Sequence, residues 1–297
     1  MPSGPLAAAL AYIIWGLFPL YIKHLLAVSA LEIVLHRSAW SLVFMALVLA
    51  ALRRFGWLAA ALRQPRTLAV FGVSALLLGG NWLLYVWAVN AGRVLDASLG
   101  YFINPLINVL LGFVVLHERP RQLQWAAVAL AATGVLWLAF AAGQVPWVSL
   151  VLALTFGVYG LLRKTAPLGA VEGLALETLL LAPLAFAGLI WLSITSQSHF
   201  LQGDTGRDLW LLAAGPLTAV PLLLFASGAR RVSMATLGLL QYLGPSIQFL
   251  LGVYLYHEPF SASRGVGFAL IWAALAVYSV ESLWWFRRNT AAASAPA

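Results

Sequence analysis

The sequence predicts an all-α integral membrane protein, with ten transmembrane helices arranged as two five-helix repeats of inverted topology (5+5). Three observations support this fold class: an apolar composition, ten apolar runs of membrane-spanning length, and an internal repeat. Of the 297 residues, 63% are hydrophobic and only 9% are charged, and the mean hydropathy is +0.93. Soluble domains hold about 45–50% apolar and about 25% charged residues.

The composition excludes several classes of protein. Seventeen Lys and Arg and nine Asp and Glu cannot give a chain of this length a water-soluble surface, and the apolar content also excludes a disordered chain. The net charge of +8 does not indicate nucleic-acid binding, because the basic residues lie between apolar runs and form no continuous stripe. Cysteine is absent, so disulfides, zinc–thiolate sites and cysteine nucleophiles are not expected.

Ten runs are long enough to cross a bilayer, which requires about 20 apolar residues in a helix. The runs are apolar on all sides rather than alternating, so helices are expected and not the strands of a membrane barrel. The first run is expected to be a retained span, because no basic segment precedes it as in a signal peptide. The runs cover approximately 5–22, 33–52, 67–89, 95–116, 123–141, 146–163, 172–194, 209–227, 234–256 and 264–286.

Basic residues predict the orientation, because cytoplasmic loops collect Lys and Arg. When the N-terminus is placed inside, most of the basic residues fall on the cytoplasmic side, including the pairs Arg53-Arg54, Arg163-Lys164 and Arg230-Arg231. An even number of spans then places both termini in the cytoplasm.

The second half of the chain repeats the first at a nearly constant spacing. Because each half holds five spans, an odd number, the second half must enter the membrane upside down. Such halves are related by a pseudo-two-fold axis in the membrane plane, and transporters of this architecture hold their substrate between the repeats. The predicted repeats are residues 1–142 and 143–288, followed by a disordered cytoplasmic tail, 289–297. The matching stretches are Trp15-Gly16 with Phe156-Gly157, Ala30-Leu31-Glu32 with Ala170-Val171-Glu172, Arg93-Val94 with Arg231-Val232, and Pro105 with Pro245.

Amide and aromatic side chains inside the runs are the candidate substrate-binding residues. Polar groups within a span are costly, so they usually face a partner or a water-filled cavity. The alternative is that they make structural contacts between helices, since interhelical polar pairs in membranes contribute only about 0.6 kcal/mol. The candidates are Trp15, Asn81, Tyr85, Tyr101, Asn104, Asn108, Tyr159, Gln241, Tyr242 and Gln248.

Two prolines occupy equivalent mid-run positions beside these amides. Pro105 and Pro245 each remove a backbone hydrogen bond from their helix, which frees a carbonyl group. Interrupted helices at corresponding positions of two repeats indicate a binding site. The alternative is a pair of kinks that shape two packed helices.

Four charged residues are candidates for gating or coupling. Arg37 and Glu177 occupy equivalent positions near opposite surfaces, so a bond between them is not expected. Arg37 is expected to meet Glu258 or a carbonyl at the outer end, and Glu177 to meet Lys164 at the inner end. Glu177 is also the candidate proton carrier, since burial raises carboxyl pKa values. Static pairing of these residues is the alternative.

No motif predicts a cofactor, a metal or an enzyme. His117-Glu118 and His257-Glu258 lack the second histidine of HExxH, so they are interpreted as solvated pairs at the ends of helices. No phosphate-binding loop or Ser/His/Asp spacing is present. A membrane-embedded enzyme or a channel stays an alternative to a secondary transporter that works by alternating access. The aromatic and amide-rich site suits neutral or zwitterionic cargo.

Five stretches carry a family resemblance: Gly79–Asn90, Leu99–Leu106, Leu237–Pro245, Glu32–Trp40 and Tyr159–Lys164. They resemble the RarD subfamily of the EamA family, in the drug/metabolite transporter superfamily. The resemblance covers nearly the whole chain. It implies a ten-helix transporter of the bacterial inner membrane that exports a small organic metabolite or drug. The expected partners are that small molecule, the lipid bilayer and protons, with no nucleic acid, for a monomer or a homodimer.

Overall fold

The computed structural model describes residues 3–90, 94–142, 147–255 and 262–293. All regular structure in these ranges is helical. Short turns of other helix types, Lys23–Leu25 (3₁₀) and Leu251–Leu255 (π), extend two of the α-helical segments. The helices are α1 (Gly4–Gly16), α2 (Phe18–Ile22), α3 (Ala30–Leu52), α4 (Gly56–Leu62), α5 (Pro65–Asn90), α6 (Val94–Val115), α7 (Gln122–Ala142), α8 (Trp147–Thr165), α9 (Ala170–Ile194), α10 (Thr205–Ala229), α11 (Met234–Gln241), α12 (Leu243–Leu250) and α13 (Ala262–Ala293).

These helices confirm the predicted all-α membrane fold. Within the described ranges, nine segments are long and apolar enough to cross a bilayer. The remaining predicted run, 95–116, corresponds to α6, whose shorter apolar part is Gly100–Val115. The first and ninth spans, Gly4–Leu25 and Met234–Leu255, each consist of consecutive short helices.

Local sequence explains where several helices begin and break. Ser29 accepts a hydrogen bond from the backbone N–H of Glu32 (3.2 Å) and so caps α3. Pro19 has no N–H to give to the carbonyl of Trp15, and the first span breaks there into α1 and α2. Gln248 Nε2 of α12 donates to that Trp15 carbonyl (3.1 Å). A carbonyl at the break in the first half therefore accepts a hydrogen bond from the second half.

The second span of each half, α3 and α9, packs against its counterpart in an antiparallel arrangement. Glu32, at the start of α3, binds His199 just beyond the end of α9 (2.8 Å between Oε2 and Nδ1). Glu172, at the start of α9, binds Arg54 just beyond the end of α3 (2.9 Å). Because each helix begins beside the end of its equivalent, the two halves run in opposite senses.

The fourth spans, α6 and α11, are antiparallel as well. A Cβ added at Gly238 would lie 2.6 Å from the carbonyl oxygen of Pro105, and one added at Gly112 would lie 2.7 Å from Cβ of Met234. From Pro105 to Gly112 along α6, the contacting residues of α11 run backwards from Gly238 to Met234, which is the pattern of antiparallel helices. The fifth spans, α7 and α13, follow the same rule: a Cβ added at Gly134 would lie 2.9 Å from the carbonyl oxygen of Gly267.

Contacts between non-equivalent spans also come in matched sets. The packing of α6 on α8 is mirrored by α12 on α1, and that of α3 on α10 by α9 on α5. At one such pair, a Cβ added at Gly16 would lie 2.8 Å from Ile247, and a Cβ added at Gly157 would lie 2.7 Å from Ile107. The chain is therefore two five-helix repeats of inverted topology.

The boundaries of the repeats stay a prediction. Helix α7 ends at Ala142 and α8 begins at Trp147, and the predicted junction lies outside the described residues. Helix α13 continues to Ala293, into the segment that the sequence assigns to the tail.

Replacement of Gly215 by alanine tests the close crossing of α10 and α3. The added Cβ would lie 2.4 Å from the carbonyl oxygen of Trp40, so backbone must move. We expect Gly215→Ala to lower the free energy of unfolding by about 1–3 kcal/mol, as overpacking does. Thermal unfolding of the purified protein in detergent measures the change.

The matched control is Gly72→Ala in α5, where nothing lies within 4 Å of the added Cβ. Alanine favours a helix over glycine by about 1 kcal/mol, so this variant should be neutral or stabilising. Equal melting temperatures for the two variants would contradict the close crossing.

Candidate functional site

Six helices meet where the two halves face each other: α1, α5 and α6 of the first half and α8, α10 and α11 of the second. We call this contact the seam. Its inner end is the one where α8 ends, and its outer end is the one where α8 begins. These names refer to the chain and not to a side of the membrane.

Three amides form the centre of the seam. Asn108 Nδ2 donates to Asn104 Oδ1 (3.1 Å) and to Gln241 Oε1 of the other half (3.0 Å). Asn104 Nδ2 donates to the carbonyl of Ala153 (2.6 Å). The spacing of four residues between Asn104 and Asn108 places them on one helix face, and both are buried. Asn108 Oδ1 has no hydrogen-bond partner among the described residues.

Asn81 extends this polar centre towards the outer end. Its Nδ2 donates to the carbonyl of Leu152 (2.9 Å) and to Thr155 Oγ1 (2.8 Å), so α5 is tied to α8. A small cavity beside it has about 20 Å³ of space for water centres, enough for one or two water molecules. Organic ligands need sites of about 300–1,000 Å³, so the halves must separate here to admit one. The cavity is lined by Asn81, Gly100, Tyr101, Asn104, Leu152, Phe156 and Gln241.

Aromatic side chains fill the seam on the inner side of the amides. The Trp15 ring lies 5.8 Å from that of Phe156 and 5.7 Å from that of Phe225, between ring centroids. Tyr159 stacks on Phe225 at 5.9 Å, and Tyr12 contacts it at 6.1 Å. The predicted candidates Trp15 and Tyr159 thus lie in one cluster drawn from both halves, and this cluster closes the route from the cavity to the inner end.

Glu177 lies at the inner end and is fully buried. Ser74 donates a hydrogen bond to its Oε1 (2.5 Å), and the Tyr159 hydroxyl lies 3.5 Å from Oε2. Its ion-pair partner is Arg163, whose Nη1 lies 3.5 Å from Oε1. The expected pair with Lys164 is wrong, because the rotation of α8 turns Arg163 towards α9.

Lys164 instead joins a second set of contacts at the inner end. Its Nζ lies 3.7 Å from Glu118 and donates to the carbonyls of Ala229 and Val232. Glu118 accepts two hydrogen bonds from the backbone N–H of Met234 (3.0 and 2.8 Å), at the start of α11. The interpretation of Glu118 as part of a solvated pair is therefore wrong, since this carboxylate holds the two halves together.

Arg37 lies near the outer end and is partly exposed. Its Nε donates to Thr218 Oγ1 of α10 (2.9 Å). The guanidinium carbon lies 3.9 Å from the centre of the Trp82 ring and 4.6 Å from that of Phe18, within the range of cation–π contacts. Glu258, one of its two expected partners, lies outside the described residues.

Two tyrosines contact each other at the edge of the cavity. The rings of Tyr85 and Tyr101 meet edge to face at 5.9 Å between centroids. Tyr85 is 38% exposed and Tyr101 is 39% exposed, although Tyr101 lines the cavity.

The remaining predicted residues have structural contacts. Tyr242 is buried and donates to the carbonyl of Phe102 (3.2 Å), in a cluster with α7 and α13 rather than at the cavity. Gln248 binds the Trp15 carbonyl. Pro105 lies inside a continuous α6, whereas the span that contains Pro245 breaks at Tyr242. None of these placements tests a role in transport, which stays a prediction.

Sequence reasoning missed Arg163, Ser74, Thr218, Phe156 and Phe225. One signal was present for Arg163, which lies four residues after Tyr159 and so shares its helix face. The hydroxyls of Ser74 and Thr218 gave no signal, because isolated Ser and Thr are common in membrane helices. Among the described residues, no group of three or more His, Asp or Glu side chains could hold a metal ion.

The inverted five-helix repeats, with amides and aromatic residues enclosed between them, define a membrane transporter. The sequence profile of the EamA-like transporter family matches residues 2–140. A protein of Pseudomonas aeruginosa named as an uncharacterized transporter is 50% identical over 272 residues, 92% of this chain and 91% of that one. Protein RarD of Escherichia coli (strain K12) is 44% identical over 288 residues, 97% of each chain. The chain belongs to the RarD subfamily of the EamA-like transporters, in the drug/metabolite transporter superfamily.

Two further comparisons agree with this family. A second Pseudomonas aeruginosa protein, named chloramphenicol-sensitive protein RarD, is 34% identical over 286 residues, 94% of each chain. A solved crystal structure with 22% identity superposes with a TM-score of 0.72 over 93% of this chain and 97% of that one, which supports the fold. The resemblance inferred from the sequence is confirmed, and relatives named as transporters are consistent with a chain that is not an enzyme.

Replacement of Gly173 by alanine tests the contact between Arg163 and Glu177. An added Cβ would lie 2.1 Å from Arg163 Nη1 and 2.6 Å from Phe71, so the guanidinium must leave its place. We expect Gly173→Ala to lower the free energy of unfolding by about 1–3 kcal/mol, measured by denaturation in mixed micelles. Because the pair is then already separated, Glu177→Gln should have a smaller effect in this background than in the wild type.

Gly80→Ala in α5 is the matched control, since nothing lies within 4 Å of its added Cβ. Strictly additive effects of Gly173→Ala and Glu177→Gln would show that Arg163 does not depend on the space at Gly173.

Proposed function

We propose that this protein is a secondary transporter of a small organic molecule, which works by alternating access and exports its cargo across the bacterial inner membrane. The observation that carries the proposal is the antiparallel packing of equivalent helices, with the cavity enclosed between the halves. Two inverted copies have similar energies when either end is open, so rocking between two such states exposes one site to each side in turn.

The contacts of the structure support a division into a fixed part and a moving part. Helices α3 and α9 are fastened at both ends, by Glu32 with His199 and by Glu172 with Arg54. Helices α7 and α13 are joined by Arg121 and Glu281, whose hydrogen bond raises the pKa of Arg121. These pairs serve as the frame, while the seam helices change their contacts around the cargo.

The inner gate consists of the Glu177–Arg163 and Glu118–Lys164 pairs together with the aromatic cluster around Trp15. Each of these contacts joins helices from different halves or holds α8 against its neighbours. They must separate when the inner end opens. Arg37, with Phe18 and Trp82, forms the corresponding outer gate.

Glu177 is the coupling residue in this proposal. It is fully buried beside a single arginine, and the Ser74 and Tyr159 hydroxyls face it from α5 and α8. When Arg163 moves away, the carboxylate loses its ion pair and a proton must neutralise it, because an unpaired charge inside a membrane is costly. Opening of the inner end is thereby linked to protonation. Most basic residues flank this end, so it is the cytoplasmic end, with both termini on the same side.

Counterflow in proteoliposomes tests the transport function. Vesicles that contain the purified protein are loaded with one compound of a metabolite and drug library, and uptake of the same compound in labelled form is measured. A carrier takes up label against its gradient while the unlabelled compound leaves. A simple pore only equilibrates the label, so equilibration without overshoot for every compound would contradict the proposal. Asn104→Ala and Gln241→Ala should lower exchange, because these amides line the cavity.

Glu177→Gln separates coupling from exchange. Glutamine preserves the size of the side chain but cannot bind a proton. A gradient of one pH unit supports about tenfold accumulation in one-to-one coupling. We expect the variant to exchange cargo between equal pH values but to lose this accumulation, measured with the labelled compound found by counterflow.

Glu281→Gln is the control, because Glu281 is a buried glutamate that pairs with Arg121 away from the seam. Accumulation driven by pH in Glu177→Gln at the level of this control would exclude Glu177 as the proton carrier.

A further inference from the structure

Arg37 is a cation in the span Ala30–Leu52, and its contacts with described residues use only part of its hydrogen-bonding capacity. A guanidinium carries five N–H donors. Among the described residues, Arg37 donates through Nε to Thr218, and no carboxylate lies within 4 Å of it. The embedded arginine of α8, Arg163, has Glu177 at 3.5 Å. Within the described part of the chain, equivalent positions of the two halves thus hold an acid that has a basic partner, Glu177, and a base that has no acidic partner, Arg37.

The surroundings of Arg37 stabilise its charge only in part. The faces of Trp82 and Phe18, at 3.9 and 4.6 Å, attract the cation through their ring electrons. Cation–π contacts do not supply the hydrogen bonds that the terminal nitrogens of an arginine make with a carboxylate fork. Charges inside a membrane are typically paired or face a water-filled cavity where a ligand binds.

Arg37 is connected to the cavity through neighbouring side chains. Its guanidinium lies over the ring of Trp82, which is next in sequence to the cavity residue Asn81. Tyr85 packs edge to face on Tyr101, and Tyr101 also lines the cavity. A molecule with its negative group at Arg37 would place an apolar or aromatic body against these rings. No carboxylate lines the cavity in the described part of the chain, so nothing there favours an ammonium group.

We infer that the cargo is a small organic carboxylate with an apolar or aromatic body, whose carboxylate group is bound by the guanidinium of Arg37. This inference rests on the proposed transport function and names the class of its substrate. It replaces the neutral or zwitterionic cargo that the sequence suggests. Thr218 is a positioning residue, because it holds Nε and leaves the terminal nitrogens for the ligand.

A pair of probes that differ only in charge tests the inference. Thermal stabilisation of the purified full-length protein in detergent is measured against increasing 3-phenylpropanoate and, separately, 3-phenylpropanamide at neutral pH. A hydrogen-bonded carboxylate–arginine contact changes affinity by roughly 10- to 100-fold. We expect the wild type to bind the carboxylate at least about tenfold more tightly than the amide.

Variants locate the preference at Arg37. Arg37→Gln should abolish it, and Arg37→Lys, which keeps the charge but not the planar fork, should reduce it. Thr218→Val should weaken carboxylate binding less than Arg37→Gln does. Arg63→Gln removes the same charge from an exposed position and should leave the preference unchanged.

Two results would overturn the inference: equal binding of acid and amide by the wild type, or a carboxylate preference that survives Arg37→Gln. Two other variants replace Arg37→Gln where it does not fold. A carboxylate preference that is unreduced in both Arg37→Lys and Thr218→Val would then contradict the inference. Counterflow distinguishes this failure from a failure of the proposed function. Exchange of library compounds without a preference for acids would contradict the cargo class but not the transport function. The absence of any exchange would contradict the transport function itself.

Discussion

The antiparallel packing of equivalent helices is the constraint on which the rest of the structure depends. Because α3 lies against α9 in the opposite sense, the start of each helix meets the chain that leaves the other. Glu32 and Glu172, which occupy equivalent positions, therefore fasten the loops of the opposite half. The same geometry brings α6 and α11 together at mid-membrane, where Asn108 meets Gln241. The antiparallel packing of equivalent helices therefore produces both the frame and the candidate site.

The bilayer as solvent explains why the polar contacts concentrate in the seam. Water is absent from the hydrocarbon core, so buried polar groups must find partners within the protein. The carbonyl of Trp15 receives no hydrogen bond from residue 19, because proline has no backbone N–H. It accepts one from Gln248 of the other half instead. Each such contact contributes only about 0.6 kcal/mol on average. A gate made of several weak contacts can therefore open without a large loss of stability, as a carrier requires.

The sequence predicts the spans, the repeat and most polar positions, but not the choice of partner. Arg163 and Lys164 are neighbours, and consecutive helix residues differ by about 100° in direction. Only the rotation of α8 decides which of them meets Glu177, and a helix that is apolar on most sides gives no signal for that rotation. The sequence does not predict the contact of Glu118 for a different reason: Met234, whose backbone N–H donates to it, lies 116 residues further along the chain. Pairings across a seam depend on tertiary packing, which periodicity does not encode.

In the proposed mechanism, the opposite charges at equivalent positions separate selection of the cargo from coupling. Glu177 is paired within the protein by Arg163, so this pair offers no net charge to a cargo while it is formed. Arg37, with no described acid beside it, gives the outer end a positive charge. An anion that leaves the cell moves with a membrane potential that is negative inside, which favours export by about 2.3 kcal/mol per 100 mV. Outward movement of a carboxylate then does not depend on protons for all of its driving force. In this proposal a proton on Glu177 determines when the inner end opens. The charge of Arg37 would then select the cargo at one end, and protonation of Glu177 would control its entry at the other.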